Sequence, residues 1–109
     1  MTQLLMVITN MPDIATAKAL AIKVVEQKAA ACANVLASCT SVYSWKGKVE
    51  SVTEIPVWMK TTLNAYPRLE TLIHSEHPYE LPEIIAVPLS KALPEYMKWV
   101  DAETQLNEE

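Results

Sequence analysis

The 109-residue chain contains no phenylalanine, one glycine, one arginine and two cysteines. Each scarcity excludes something. With no phenylalanine and a net charge of -4, the chain lacks the basic, aromatic face that an RNA-recognition sheet presents. The same acidic balance argues against nucleic acid or an anionic membrane as a partner. The lone arginine, Arg68, falls inside a helix pattern, and there is neither a Gly-rich loop nor a Ser/His/Asp arrangement. A small phosphate enzyme of the acylphosphatase kind would therefore have no anion cradle, and no catalytic activity is expected. No apolar run approaches the roughly 18 residues of a membrane-spanning helix. The first apolar run opens at Leu4 with no basic segment ahead of it, so the expectation is a cytoplasmic protein with a single domain over residues 1–109.

The single glycine marks the turn of the most conspicuous stretch in the chain. From Ala31 to Thr62 the sequence reads as one long β-hairpin around Trp45-Lys46-Gly47-Lys48, because glycine reaches a positive φ at least cost. On strict alternation Val35, Ala37, Cys39, Tyr43 and Trp45 share one face of the incoming arm. On the outgoing arm Ile55, Val57 and Met59 alternate with Glu54, Trp58 and Lys60. Pro56 interrupts that arm and predicts a bulge or a free edge, since proline cannot donate to a ladder. Two arms of twelve or so residues span about 40 Å at strand rise, more than a domain of this size covers with its own core. An edge carrying Val, Tyr and Trp at that reach predicts an oligomer.

Cys32 and Cys39 lie seven residues apart on the incoming arm, about 23 Å along a strand and on opposite faces by alternation, too far for a disulfide. Two free, buried thiols suit a reducing compartment.

The rest of the chain supplies covering elements. Leu4–Ile8 reads as a buried strand. Asp13 is a helix cap ahead of Ala17, Leu20, Ala21, Val24 and Val25, a helix expected to end near Lys28 or Ala29. Asn64 is expected to cap a second helix with Pro67 in its first turn and Leu69, Leu72 and Ile73 on its stripe. His77–Glu83 is a stiff, proline-bounded connection, Ile84–Val87 a further strand, and Pro94 opens a helix with Leu93, Tyr96, Met97 and Val100 on one side. The chain is expected to fray from Glu103. The order βαββαβ plus a helix predicts an α+β, ferredoxin-like sandwich with strands one and three central and both main helices on one face.

Five blocks spread over nearly the whole chain resemble one family: Ala-Cys-Ala-Asn-Val at 31–35, Ser-Val-Tyr-Ser-Trp-Lys-Gly-Lys at 41–48, Met-Lys-Thr-Thr at 59–62, His-Pro-Tyr-Glu-Leu-Pro-Glu-Ile at 77–84 and Tyr-Met-Lys-Trp at 96–99. Together they look like the CutA divalent-cation tolerance proteins. The resemblance implies a homotrimer akin to the PII signalling proteins, held together by the long hairpins. It also implies a link to tolerance of copper and other divalent cations, with no established enzymatic activity.

The resemblance further implies a metal position made of Thr9, Glu76 and His77, where copper-binding members carry a cysteine and two histidines. A threonine hydroxyl is a poor copper ligand and glutamate a harder donor than imidazole, so any copper or zinc would be held weakly, and no cofactor is required. His74, Glu76 and His77 at the helix end form a second arrangement for a divalent ion. The competing reading leaves His74 solvated and uses His77 to fix the turn through a backbone carbonyl. A separate set, Tyr43, Trp45, Glu54, Lys60 and Tyr79, would line an intersubunit cleft. That set suits either an interfacial salt bridge with aromatic packing or a small effector. Two functions stand: a trimeric, copper-related cation-tolerance protein, or a PII-like signalling or scaffolding module that takes a small molecule or protein partner without metal.

Overall fold

The first strand and the long fourth one form the spine of the molecule, which a computed structural model describes over residues 2–106. The elements are β1 (Leu4–Met11), α1 (Ile14–Glu26), β2 (Cys32–Val35), β3 (Cys39–Trp45), β4 (Lys48–Thr62), α2 (Tyr66–Glu76), β5 (Ile85–Leu89) and α3 (Pro94–Glu103). The sheet runs β2-β4-β1-β5, with β3 continuing along the outer half of β4. β1 and β4 are central, the arrangement expected of a ferredoxin-like α+β fold.

The buried face is built by alternation. Leu5, Val7 and Met11 of β1 meet Ile55, Val57 and Met59 of β4, and Ala17, Leu20 and Val24 of α1 with Leu69 and Ile73 of α2 close over them. Fully burying an aliphatic side chain of this kind contributes roughly 1.5–3 kcal/mol. A smaller cluster of Leu4, Ala31 and Val100 forms where α3 covers one end of the opposite face. The remainder of that face stays open. Trp58, Ile85 and Val87 are 37%, 48% and 41% exposed, and the register sets them beside Ile8 and Met6.

The hairpin is real but its incoming arm is broken. Val35 pairs with Val57 and Cys39 with Glu54, so Leu36, Ala37 and Ser38 oppose only Ile55 and Pro56. The cause is Pro56. Its carbonyl oxygen accepts from the Leu36 amide at 2.9 Å, and a strand residue's N–H points the same way as its C=O, so the missing donor lies on this side of the ladder. The extra residue reverses the expected faces. Val35 stays with Val57, whereas Cys39, Tyr43 and Trp45 pair with Glu54, Glu50 and Lys48 on the other side of β4. Cys32, opposite Lys60, and Cys39 therefore share a face rather than lying on opposite ones, and both thiols are free and half-buried.

Boundaries also differ: β1 runs on to Met11, and β5 covers Ile85–Leu89. Lys28, at φ 58°, takes the left-handed position that ends α1, and the amides of Ala29 and Ala30 both reach the Val24 carbonyl. Asn64 does not cap α2. The Thr62 hydroxyl accepts from the Ala65 amide at 3.1 Å instead, while Asp13 caps α1 as expected through the Thr16 amide at 2.8 Å. The chain holds its order past Glu103: Thr104 is buried and its hydroxyl donates to the Val100 carbonyl at 2.9 Å. Residues 107–109 of the expected frayed end lie outside the described residues.

Candidate functional site

The segment after α2 turns back across the end of β1, and Asn10 holds it. The His77 ring is buried, with Nε2 2.8 Å from the Asn10 carbonyl oxygen and Nδ1 3.2 Å from the Tyr79 amide. A carbonyl only accepts and an amide N–H only donates, so Nε2 carries the proton and Nδ1 supplies its lone pair to Tyr79. Burial pushes the imidazole below its ordinary pKa; the Asn10 bond and the Glu54 charge pull upward, and His74 adds to the lowering. The Tyr79 ring packs on His77 with centroids 4.6 Å apart. At the far end of the segment, the Asn10 amide donates to a Glu83 carboxylate oxygen at 3.3 Å.

These contacts wall a cavity of about 340 Å³ whose lining includes Tyr43, Glu54, Tyr79, Asn10, Leu81 and Glu83. Glu54 is 5% exposed. Burial, hydrogen bonding to Glu54 and that carboxylate's charge hold the Tyr79 hydroxyl protonated well above the usual tyrosine range, with Tyr43 and Asp13 adding smaller contributions. The ion pairs among the described residues are Lys23 with Glu76 at 3.0 Å and Lys46 with Glu80 at 3.6 Å, so Glu54 has no cationic partner there.

Three of the five expected cleft residues, Tyr43, Glu54 and Tyr79, thus line one cavity within a single chain. Lys60 shares the face of Glu54 but lies farther along β4, opposite Cys32, where its ammonium donates to Asn34 Oδ1 at 2.7 Å. Trp45 sits at the hairpin tip under the Lys46 ammonium, 5.5 Å from the ring centroid. Asn10, Leu81 and Glu83 were not singled out by sequence. Asn10 was accessible in principle, since antiparallel pairing of β1 with β4 sets it opposite Pro56 and on the Glu54 face.

The expected metal residues are not brought together. Thr9 is fully buried on the helix-covered face, opposite Val57, with its hydroxyl unpartnered. Glu76 is held by Lys23, His74 is exposed, and both His77 nitrogens are engaged. Among the described residues no three His, Cys, Asp or Glu side chains form a group that could hold a metal ion.

Residues 5–103 match the family described as CutA1 divalent ion tolerance protein. Protein CutA of Mus musculus is 40% identical over 94 residues, covering 86% of this chain and 53% of the mouse protein. The divalent-cation tolerance protein CutA of Citrobacter koseri is 40% identical over 96 residues, 88% of this chain and 84% of that one. The chain thus spans about half the length of the mouse relative. CutA1 from Oryza sativa superimposes with a TM-score of 0.91 at 30% identity, covering 96% of both chains. The divalent cation tolerance protein of Thermus thermophilus gives 0.89 at 34% identity, over 96% of this chain and 100% of that one. On the match of nearly its whole length, the chain belongs to the CutA1 divalent ion tolerance family.

Proposed function

We propose that this chain serves tolerance to divalent cations as a non-catalytic homotrimer that meets copper or zinc only weakly. The tolerance role is supported by relatives that carry that name. Trimerisation is supported by the open apolar strip of Met6, Ile8, Trp58, Ile85 and Val87, which a neighbouring subunit would cover. The observation that carries the weak-binding reading is His77: donating through one nitrogen and accepting through the other, it has no lone pair left for an ion. Weak contact falls instead to exposed His74 and to Glu76, the latter in competition with Lys23.

Calorimetric titration of metal-free protein with Cu(II) and Zn(II), alongside light scattering for mass, tests this. Weak binding to a trimer, unchanged in His77→Ala, is expected. Stoichiometric sub-micromolar binding lost in that variant, or a stable monomer, overturns it.

A second reading, a PII-like module whose cleft takes a small effector, is favoured by the cavity at Glu54.

A further inference from the structure

We infer that the Glu54 cavity is a binding site for a small organic cation, an ammonium or guanidinium group carried on a short apolar stem. The inference rests on the effector reading and gives it a ligand class. Three observations converge.

The first is the charge. A carboxylate 5% exposed is costly unless something compensates it, and no cation pairs with Glu54 among the described residues. The neutral Tyr79 hydroxyl beside it is a donor and not a counter-ion, which leaves further acceptor positions on the carboxylate oxygens. The second is the wall. Tyr43 and Tyr79 flank the same space, and aromatic faces attract a desolvated cation while offering nothing to an anion. Leu81 adds an apolar surface against which a stem can lie. The third is the rim, where Glu83, oriented by the Asn10 amide, supplies a second carboxylate. At about 340 Å³ the cavity is at the small end of ligand sites and suits a compact molecule.

A hard divalent ion fits the same charge less well. It would need several convergent oxygen donors, and no cluster of three metal-capable side chains forms here among the described residues. The same ammonium chemistry could also arrive on a lysine of a neighbouring copy, which the test separates.

The probes are n-butylammonium and its neutral counterpart 1-butanol, titrated into the full chain at pH 7 while the amide chemical shifts of Tyr43 and Glu54 are followed by NMR. Butylammonium is expected to bind at least about tenfold more tightly than butanol, and Glu54→Gln to remove about that factor. Tyr43→Ala, on the exposed side of the cavity, should weaken binding while the light-scattering mass stays constant. Equal binding of butanol overturns the cation assignment but leaves an effector cleft standing, whereas no binding of either probe removes both. Absent butylammonium binding combined with a lower mass for Glu54→Gln assigns the cavity to a neighbour's lysine and overturns the small ligand. Displacement of butylammonium by equimolar Mg(II) overturns the organic class in favour of a hard ion.

Discussion

His77 and Asn10 are joined by a 2.8 Å hydrogen bond from the imidazole Nε2 to the backbone carbonyl oxygen, across 67 positions of sequence. The bond ties the exit of α2 to the end of the first strand, and the cavity wall hangs from it. His77→Ala would leave the Asn10 carbonyl and the Tyr79 amide without these partners in a partly buried setting. A loss of about 2–3 kcal/mol is expected, read from the urea midpoint at constant m-value.

The same ring sets an acid limit. Its native pKa lies below the ordinary value because burial disfavours the charged form, while in the unfolded chain it titrates near 6.5. As pH falls through that value the unfolded state gains a proton that the native state does not yet take. Stability is therefore fully present above about pH 6.5 and declines toward the lower native pKa. Urea unfolding between pH 7 and 5 is expected to show this decline, and His77→Gln to flatten it.

Arg68 is the chain's one guanidinium and serves as a staple. Nη1 donates to the Lys28 carbonyl at 3.2 Å and Nη2 to the Thr104 carbonyl at 2.7 Å, joining the end of α1 to the end of α3. Arg68→Lys cannot reach both acceptors with a planar fork. It is expected to lower stability by about 1–2 kcal/mol, measured by thermal unfolding, with Arg68→Ala costing more.

Lys28 occupies a left-handed backbone position at φ 58° where its Cβ is strained. Lys28→Gly is expected to leave stability unchanged or raise it by up to about 1 kcal/mol, because relief of strain opposes the added freedom of the unfolded chain. A loss above about 1 kcal/mol in the same melt contradicts this account.

Trp58 tests the open sheet face. Placed in the row Trp58, Ile8, Ile85, it is the largest side chain there, and Trp58→Glu would put an unpaired charge into any subunit contact. A lower light-scattering mass at unchanged circular dichroism is the expected outcome.

The order of elements was legible because each left a periodic trace: alternation around Ile55, Val57 and Met59, and helical spacing from Ala17 to Val25. Asp13 was legible as a cap because an aspartate directly precedes the apolar repeat. The faces of the incoming arm were not. Alternation counts residues, and the extra one among Leu36, Ala37 and Ser38 can be located only when the partner strand is known. The end of α1 lacked its usual sign because a lysine stands where glycine is common. At the site, Glu54 was legible from its strand parity with Trp58 and Lys60, and Tyr43 and Tyr79 as aromatic walls of a cleft, whereas Trp45 and Lys60 of the same set stand elsewhere. Asn10 and Glu83 are ordinary in sequence and acquire meaning only when the proline-bounded segment folds back onto β1.

The tip of the hairpin turns on two residues, Lys46 and Gly47, at φ 50° and 81°, and behind it the Pro56 bulge fixes which residue meets Glu54. Between those two fixed points the outer arm can change length only in matched steps, one residue from each strand at a time. A lone insertion or deletion between Cys39 and Tyr43, or between Glu50 and Glu54, would carry Tyr43 or its partner to the wrong side, so this stretch of the hairpin is quantised while its root stays constant.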